Sequence, residues 1–280
     1  VTDDPIDLYA RIRHSRTSDE VINQIELLVL EGILRDGDRL PGERDLSKRF
    51  DVSRPILREA LKELENRGLL VSQHGGGTFV ADVIGQIFSN PLIELIGRHP
   101  RATQDYLEYR RELEGLTAEL AARRATPFDR DILTGIMEQM RAAHGNGSPE
   151  TELAADIDLH NAIGESAHNV ILLHTLRACY RLLSNGIFFH RSILLAAPGA
   201  SDQLLAQHEA IYAAVMAADP LKARAAAQAH IDYIIAATRE AERSGAWTRI
   251  SQLRIQQRDQ QAGPQAARPL PDASDGAKPS

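Results

Sequence analysis

A single cysteine, Cys179, in 280 residues leaves no partner for an internal disulfide. Its surroundings, "LHTLRACYRLL", read as a core helix, so the thiol is expected to be buried and structural rather than nucleophilic. No apolar run approaches the roughly 18 residues that a membrane span needs. The opening stretch, "VTDDPIDLYARIRH", carries acids where a secretory signal would carry a basic region and an apolar core. A cytoplasmic chain with no membrane contact is the expectation. An excess of basic charge is missing too: 32 basic residues against 39 acidic give a net charge of −7. That excludes overall attraction to a polyanion, but not a local basic footprint.

Enough apolar content is present for a proper core, at 43% hydrophobic residues, and the length suggests two domains with flexible ends. Residues 18–34, "SDEVINQIELLVLEGIL", place Val21, Ile22, Ile25, Leu28 and Val29 at helical spacing. A turn rich in glycine and proline follows, then a short second helix, "ERDLSKRF", with Leu46 and Phe50 four apart. After the tight connection Asp51-Val52, Ser53 is expected to cap a third helix, "RPILREALKELENR". One face of that helix carries Ile56, Leu57, Ala60, Leu61 and Leu64; another carries Arg54, Arg58 and Lys62. Two short helices joined by a tight turn form a helix-turn-helix. Between Arg39 and Arg67, eight basic residues face six acidic ones, a surplus that permits nucleic-acid binding without demanding it.

The glycines of "QHGGGTFV" at 73–80 need a separate explanation. A phosphate loop would have a strand before them, Lys-Ser or Lys-Thr after them and a helix next, and none of this is present. Instead "LLVSQ" and "TFVAD" flank "HGGG" as two short β-prone runs, which predicts a hairpin. Such a hairpin is either a plain turn or a wing whose bare backbone and His74 reach into a DNA minor groove.

Residues 32–80, "GILRDGDRLPGERDLSKRFDVSRPILREALKELENRGLLVSQHGGGTFV", resemble the DNA-binding domain of the GntR family of bacterial transcription regulators, without a gap. The resemblance implies a winged helix-turn-helix. In the family's FadR branch the corresponding DNA contacts would come from Arg44, Arg54, Pro55, Arg58, His74 and Gly75. Pro55 lacks the hydroxyl that some relatives place there. An Arg can grip guanine or a phosphate, and a Gly can offer its N–H.

Past a glycine- and proline-containing linker, "GQIFSNPLIELIGRHP", no alternating segment is evident from Asp105 onward, while helical runs recur. The fold class is therefore mainly α. A winged helix-turn-helix over 17–82 precedes an all-α helical bundle over 105–250, with an N-terminal arm over 1–16 and a linker over 83–104. The polar tail over 256–280 is expected to be disordered.

Within the bundle, "DIDLH" sets Asp156 and His160 one helical turn apart, as two ligands of one ion would be. His208 and His230 each lie 11 residues from Asp219 in the "ADP" turn. In an antiparallel hairpin both would stand about 16 Å from that turn, at the same height. Three neutral imidazoles and a carboxylate suit a divalent metal such as Zn, Ni or Mn. Ten histidines also produce coincidental spacings: Asp158, His168, His174 and His190 compete, and a lone buried histidine is commonly a hydrogen-bonded core residue.

This part of the chain is similar to the FCD effector domain of the FadR branch, whose metal-binding members carry D-x3-H, then H, then H. "YLEYRRELEG" and "HNAIGESAHNVILLHTLR" resemble the lactate-responsive and pyruvate dehydrogenase repressor groups. Implied is a homodimeric repressor that binds a palindromic operator in double-stranded DNA and answers to a small organic acid of the lactate, pyruvate or glycolate type. Arg110 would pair the acid's carboxylate unless it is a surface partner of Glu114, and Asn169 would line the pocket or cap the next helix. The alternatives are a metal-dependent enzyme, for which no acid or base partner stands out, and a sensor of the metal ion itself.

Overall fold

The computed structural model describes residues 18–73, 75–83, 90–144, 149–182 and 199–262. Three helices open the described chain: α1 (Ser18–Leu30), α2 (Glu43–Phe50) and α3 (Arg54–Asn66). The connection between α2 and α3 is tight because Asp51 takes a left-handed conformation, φ 54°, while Val52 N–H donates to the Ser47 carbonyl at 3.0 Å. Ser53 stands at the N-cap of α3, but its side chain makes no capping bond. Its carbonyl accepts from Leu57 N–H, and Pro55 occupies the first turn, where a missing N–H costs nothing.

The hairpin follows as β1 (Leu70–Gln73) and β2 (Gly77–Val80), antiparallel, with Leu70 opposite Val80 and Gln73 opposite Gly77. A further edge forms where Arg39 bridges Phe79, a pairing that the turn-rich sequence around it conceals. The apolar stripes meet in one core: Val21 and Ile25 of α1, Leu46 and Phe50 of α2, Leu57 and Leu64 of α3, with Leu70 and Val80 closing it. Each such side chain contributes about 1.5–3 kcal/mol on burial, so the helices and the hairpin hold one another.

Helices make up the remainder: α4 (Asn90–Arg98), α5 (Pro100–Arg124), α6 (Pro127–Ala143), α7 (Pro149–Ser166), α8 (Val170–Leu182), α9 (Ala200–Met216) and α10 (Pro220–Ala262). The segment expected to be a linker over 83–104 thus contains α4 and the start of α5. Pro91 and Pro100 sit in the first turns of these helices, where proline fits, rather than interrupting them. Likewise the polar tail was expected to begin at 256, whereas α10 continues to Ala262. Residues 263–280 and the arm over 1–16 lie outside the described residues.

Leu133 and Met137 of α6, Leu159 and Ile163 of α7, Ile211 and Val215 of α9 and Ala223 of α10 form a second core. Gly164 lets α7 approach α8 closely, since a Cβ there would stand 2.9 Å from a Leu176 methyl. Among the described residues, those up to Ile235 fall in one compact unit and those from Ala236 in another. Among the described residues, no helix is long and apolar enough to cross a membrane.

Candidate functional site

Asp156 and His160 share one face of α7, His208 comes from α9 and His230 from α10, and all four are buried. One ligand atom from each lies within 4.8 Å of the others. His208 Nε2 is 2.8 Å from Asp156 Oδ1 and 3.3 Å from His160 Nε2. Two nitrogens bound at about 2.0–2.1 Å to one tetrahedral ion stand roughly 3.3–3.4 Å apart, so the histidine spacing matches the edge of a coordination polyhedron.

The outer nitrogens decide which way the lone pairs point. Gln207 Oε1 can only accept, and it lies 2.9 Å from His230 Nδ1, so Nδ1 carries the proton. His230 Nε2 is then a bare acceptor, buried, with no hydrogen-bond partner. The Glu114 carboxylate at 2.9 Å from His160 Nδ1 likewise leaves His160 Nε2 free to ligate. Acceptors on the outer nitrogens orient metal-ligating imidazoles in this way and raise their basicity. Burial, then the neighbouring His208 and His160, push the His230 pKa well below the ordinary histidine value, so the ring is neutral as a ligand must be. The described residues fit a divalent ion: one carboxylate, three imidazoles and one orphaned buried nitrogen.

Behind the cluster, Arg110 and Glu114 form a pair one turn apart on α5. The sequence allowed Arg110 either an effector's carboxylate or a surface pairing with Glu114. The pair exists, but both residues are buried, at 1% and 3% exposure. Arg110 also donates to Tyr180 Oη at 2.8 Å, and Tyr180 in turn donates to Glu114 Oε1 at 2.8 Å. Burial raises the Glu114 pKa, but Arg110 and His160 outweigh it and hold the carboxyl well below the usual range. Tyr180 stacks on His160 with ring centroids 5.0 Å apart.

Asn169 Oδ1 accepts from Leu172 N–H at 3.1 Å, so its side chain caps α8. Of the competing residues, His168 contacts Asp129, His174 contacts the Leu30 carbonyl, Asp158 is exposed, and His190 lies outside the described residues. Cys179 is fully buried, and burial pushes its thiol up to about 12. The space beside the cluster is small: a cavity of about 30 Å³ meets Asp156 and His208, and His144, Glu152 and Ser201 also line it.

On the winged helix, Arg44, Arg54, Pro55, Arg58 and Gly75 are all exposed. Glu43 Oε2 lies 2.8 Å from Arg58 Nε and 3.6 Å from an Arg54 guanidinium nitrogen, linking the start of α2 to the first turns of α3. Gly75 has φ 74°, which favours glycine at the hairpin tip, and nothing crowds its Cα. His74 lies outside the described residues.

The family description "Bacterial regulatory proteins, gntR family" matches residues 17–80, and the FCD domain matches residues 105–233. The "Putative L-lactate dehydrogenase operon regulatory protein" of Escherichia coli (strain K12) is 37% identical over 223 residues, covering 78% of this chain and 85% of its own. The "Glc operon transcriptional activator" of the same organism is 35% identical, covering 75% of this chain and 84% of its own. For LutR, an HTH-type transcriptional regulator of Bacillus subtilis (strain 168), the identity is 31%, with 73% and 93% covered. The chain belongs to the GntR family.

It is a DNA-binding transcription regulator of the FadR type, not an enzyme, with the winged helix at its N-terminus and the FCD domain forming the helical part. Within this GntR protein the FCD match spans the whole buried cluster, which could hold a metal ion. Sequence reasoning missed the residues that orient the side chains of the cluster. Gln207 adjoins His208 yet serves His230, and Tyr180 meets Glu114 from 66 positions away in the chain. Only the Arg110–Glu114 spacing carried a signal, and spacing alone cannot tell a buried pair from an exposed one.

Proposed function

We propose that this regulator is a homodimeric repressor that binds a palindromic operator and is controlled by a small 2-hydroxy or 2-oxo acid at a metal held by Asp156, His160, His208 and His230. The observation that carries this reading is the unpartnered, buried Nε2 of His230, facing a carboxylate and two further imidazoles. Zinc, nickel or manganese suits that donor set and would supply a Lewis-acidic anchor for a carboxylate. The lactate-operon name of one relative supports a short acid as effector. On the DNA side, Arg44, Arg54, Arg58, Pro55, His74 and Gly75 form the reading surface, and a two-fold dimer meets a two-fold operator.

Arg110 already donates to Glu114 and Tyr180, and Asn169 Oδ1 accepts the cap bond of α8, so an acid that used either side chain would compete with these partners. A water needs about 10–15 Å³, so 30 Å³ does not admit a three-carbon acid. The acid therefore binds a more open conformation, with His144, Glu152 and Ser201 moved aside. This is how binding would shift the balance of conformations away from the one that holds the operator.

The test is a thermal-shift screen of metal-loaded protein against lactate, pyruvate, glycolate and longer acids, repeated after chelation and with His208→Ala. One short acid should raise Tm only in the metal-loaded wild type and should release operator DNA in a fluorescence anisotropy assay. Operator release that tracks metal alone, with no acid response, would instead make the ion the signal.

A further inference from the structure

The hairpin that forms the wing has no Lys or Arg of its own. Residues 69–83, "LLVSQHGGGTFVADV", contain neither, and the glycines near its tip can offer a polyanion only their backbone N–H groups. Charge reaches the hairpin from outside it. Residues 37–40 run beside β2: Leu40 N–H donates to the Thr78 carbonyl and Val80 N–H to the Asp38 carbonyl, both at 2.9 Å, and Arg39 bridges Phe79. Leu40 and Val80 are buried, so the alternation along an extended chain turns Arg39 outward.

The Arg39 side chain runs toward the tip. A Cβ on Gly77 would stand 3.0 Å from Arg39 Nε and 3.4 Å from Nη2, so the guanidinium fills the space that a side chain at position 77 would take. Gly77 has φ 110°, which favours glycine, and it is two residues from the exposed Gly75. The guanidinium is also free. Arg35, Arg49, Arg54, Arg58 and Arg67 each meet a carboxylate, whereas Arg39 is exposed and meets none among the described residues. Arg44 shares that freedom and already belongs to the proposed reading surface. To take a phosphate, Arg58 must give up Glu43, but Arg39 gives up only water.

We propose that Arg39 is a further DNA contact, carried on the wing by strand pairing, and that it grips a backbone phosphate beside the groove the hairpin enters. This rests on the reading of the hairpin as DNA-facing. Arg39 supplies the wing with the charge that its glycines lack, and a phosphate contact fixes the position of the hairpin without reading sequence.

The probes are a duplex recovered with the wild-type chain by selection from a random-sequence pool, and a duplex of scrambled sequence, titrated by fluorescence anisotropy over a salt series. Arg39→Gln should weaken both complexes in the same proportion, about fivefold to tenfold at 0.1 M salt for each winged helix engaged. The slope of log K against log salt should fall by about 0.9 per winged helix. Arg39→Lys keeps the charge and should restore most of the slope, while circular dichroism shows both variants folded as the wild type. A scan of single neutral methylphosphonates along the selected duplex locates the contact. One phosphate per half-site that matters to the wild type should cease to matter to Arg39→Gln. An unchanged slope, or the same set of sensitive phosphates in both proteins, overturns the contact. A loss confined to the selected sequence also overturns it, because that is the signature of base reading. Arg58→Ala is run in parallel: if it weakens binding and Arg39→Gln does not, only the wing contact fails, whereas no effect from either removes the DNA-facing surface itself.

Discussion

The winged helix and the helical domain both pair arginine with glutamate, with opposite consequences. Arg58 and Glu43 meet at 2.8 Å on an exposed face, with side chains 61% and 39% accessible. Arg110 and Glu114 meet where each side chain is 2% accessible, and Tyr180 completes their hydrogen bonds. Water screens the first pair, so it contributes about 0–1 kcal/mol and can be exchanged for another partner. The second has given up its hydration and must remain paired, because either ion alone would stand uncompensated in the core. Surface arginines are thus available to a polyanion, and the buried arginine is available only to the structure that orients His160.

The sharpest way to break the comparison is to truncate the arginines one at a time. Arg110→Ala should destabilise the metal-free protein by about 3–5 kcal/mol in urea unfolding, since it strands Glu114 in the core. Arg58→Ala should stay within about 1 kcal/mol in the same experiment. Equal effects would mean that burial does not separate the two pairs.

Ligand orientation comes next in size. Gln207→Leu removes the acceptor that fixes the His230 tautomer. Metal affinity, measured by competition with a chromogenic chelator, should fall about 10- to 100-fold with little change in helix content. Arg54→Ala should weaken specific operator binding about 5- to 150-fold, the 1–3 kcal/mol expected of one bidentate base contact, while metal binding stays at the wild-type level. Loss of both would point to a damaged fold rather than a lost contact.

These differences bear on what could be read in the sequence. The helix-turn-helix was legible because Leu46, Phe50, Leu57 and Leu64 repeat at helical spacing and Asp51-Val52 leaves no room for a longer turn. The clustering of Asp156, His160, His208 and His230 was legible for a similar reason: i, i+4 spacing on α7 and equal distances from the turn at Asp219 are local geometry. Prolines misled where they start helices, so α4 was taken for a linker. Polarity misled at the other end. The segment "QQRDQQA" is rich in good helix formers, and the first helix breakers after Gln256 are Gly263 and Pro264. The contacts of Tyr180 and Gln207 were not legible, because they depend on which helices pack together rather than on spacing within one.

The finest distinction concerns Glu43, which sits among the arginines proposed to read DNA yet is itself acidic. Its carboxylate lies within reach of Arg54 and Arg58 and neutralises part of the charge that would attract phosphates. Holding two long side chains in place also reduces the entropy they lose on docking. Glu43→Gln separates these effects. Removing one negative charge should strengthen binding to non-operator DNA and steepen the dependence of log K on log salt by about one, because one further phosphate can be matched. Looser arginines should at the same time lower the ratio of operator to non-operator affinity. Anisotropy titrations over a salt series on both DNAs measure the two quantities together. A steeper slope with an unchanged ratio would make Glu43 a charge regulator only, whereas a lowered ratio would show that an exposed pair of little value to stability still positions the side chains that read DNA.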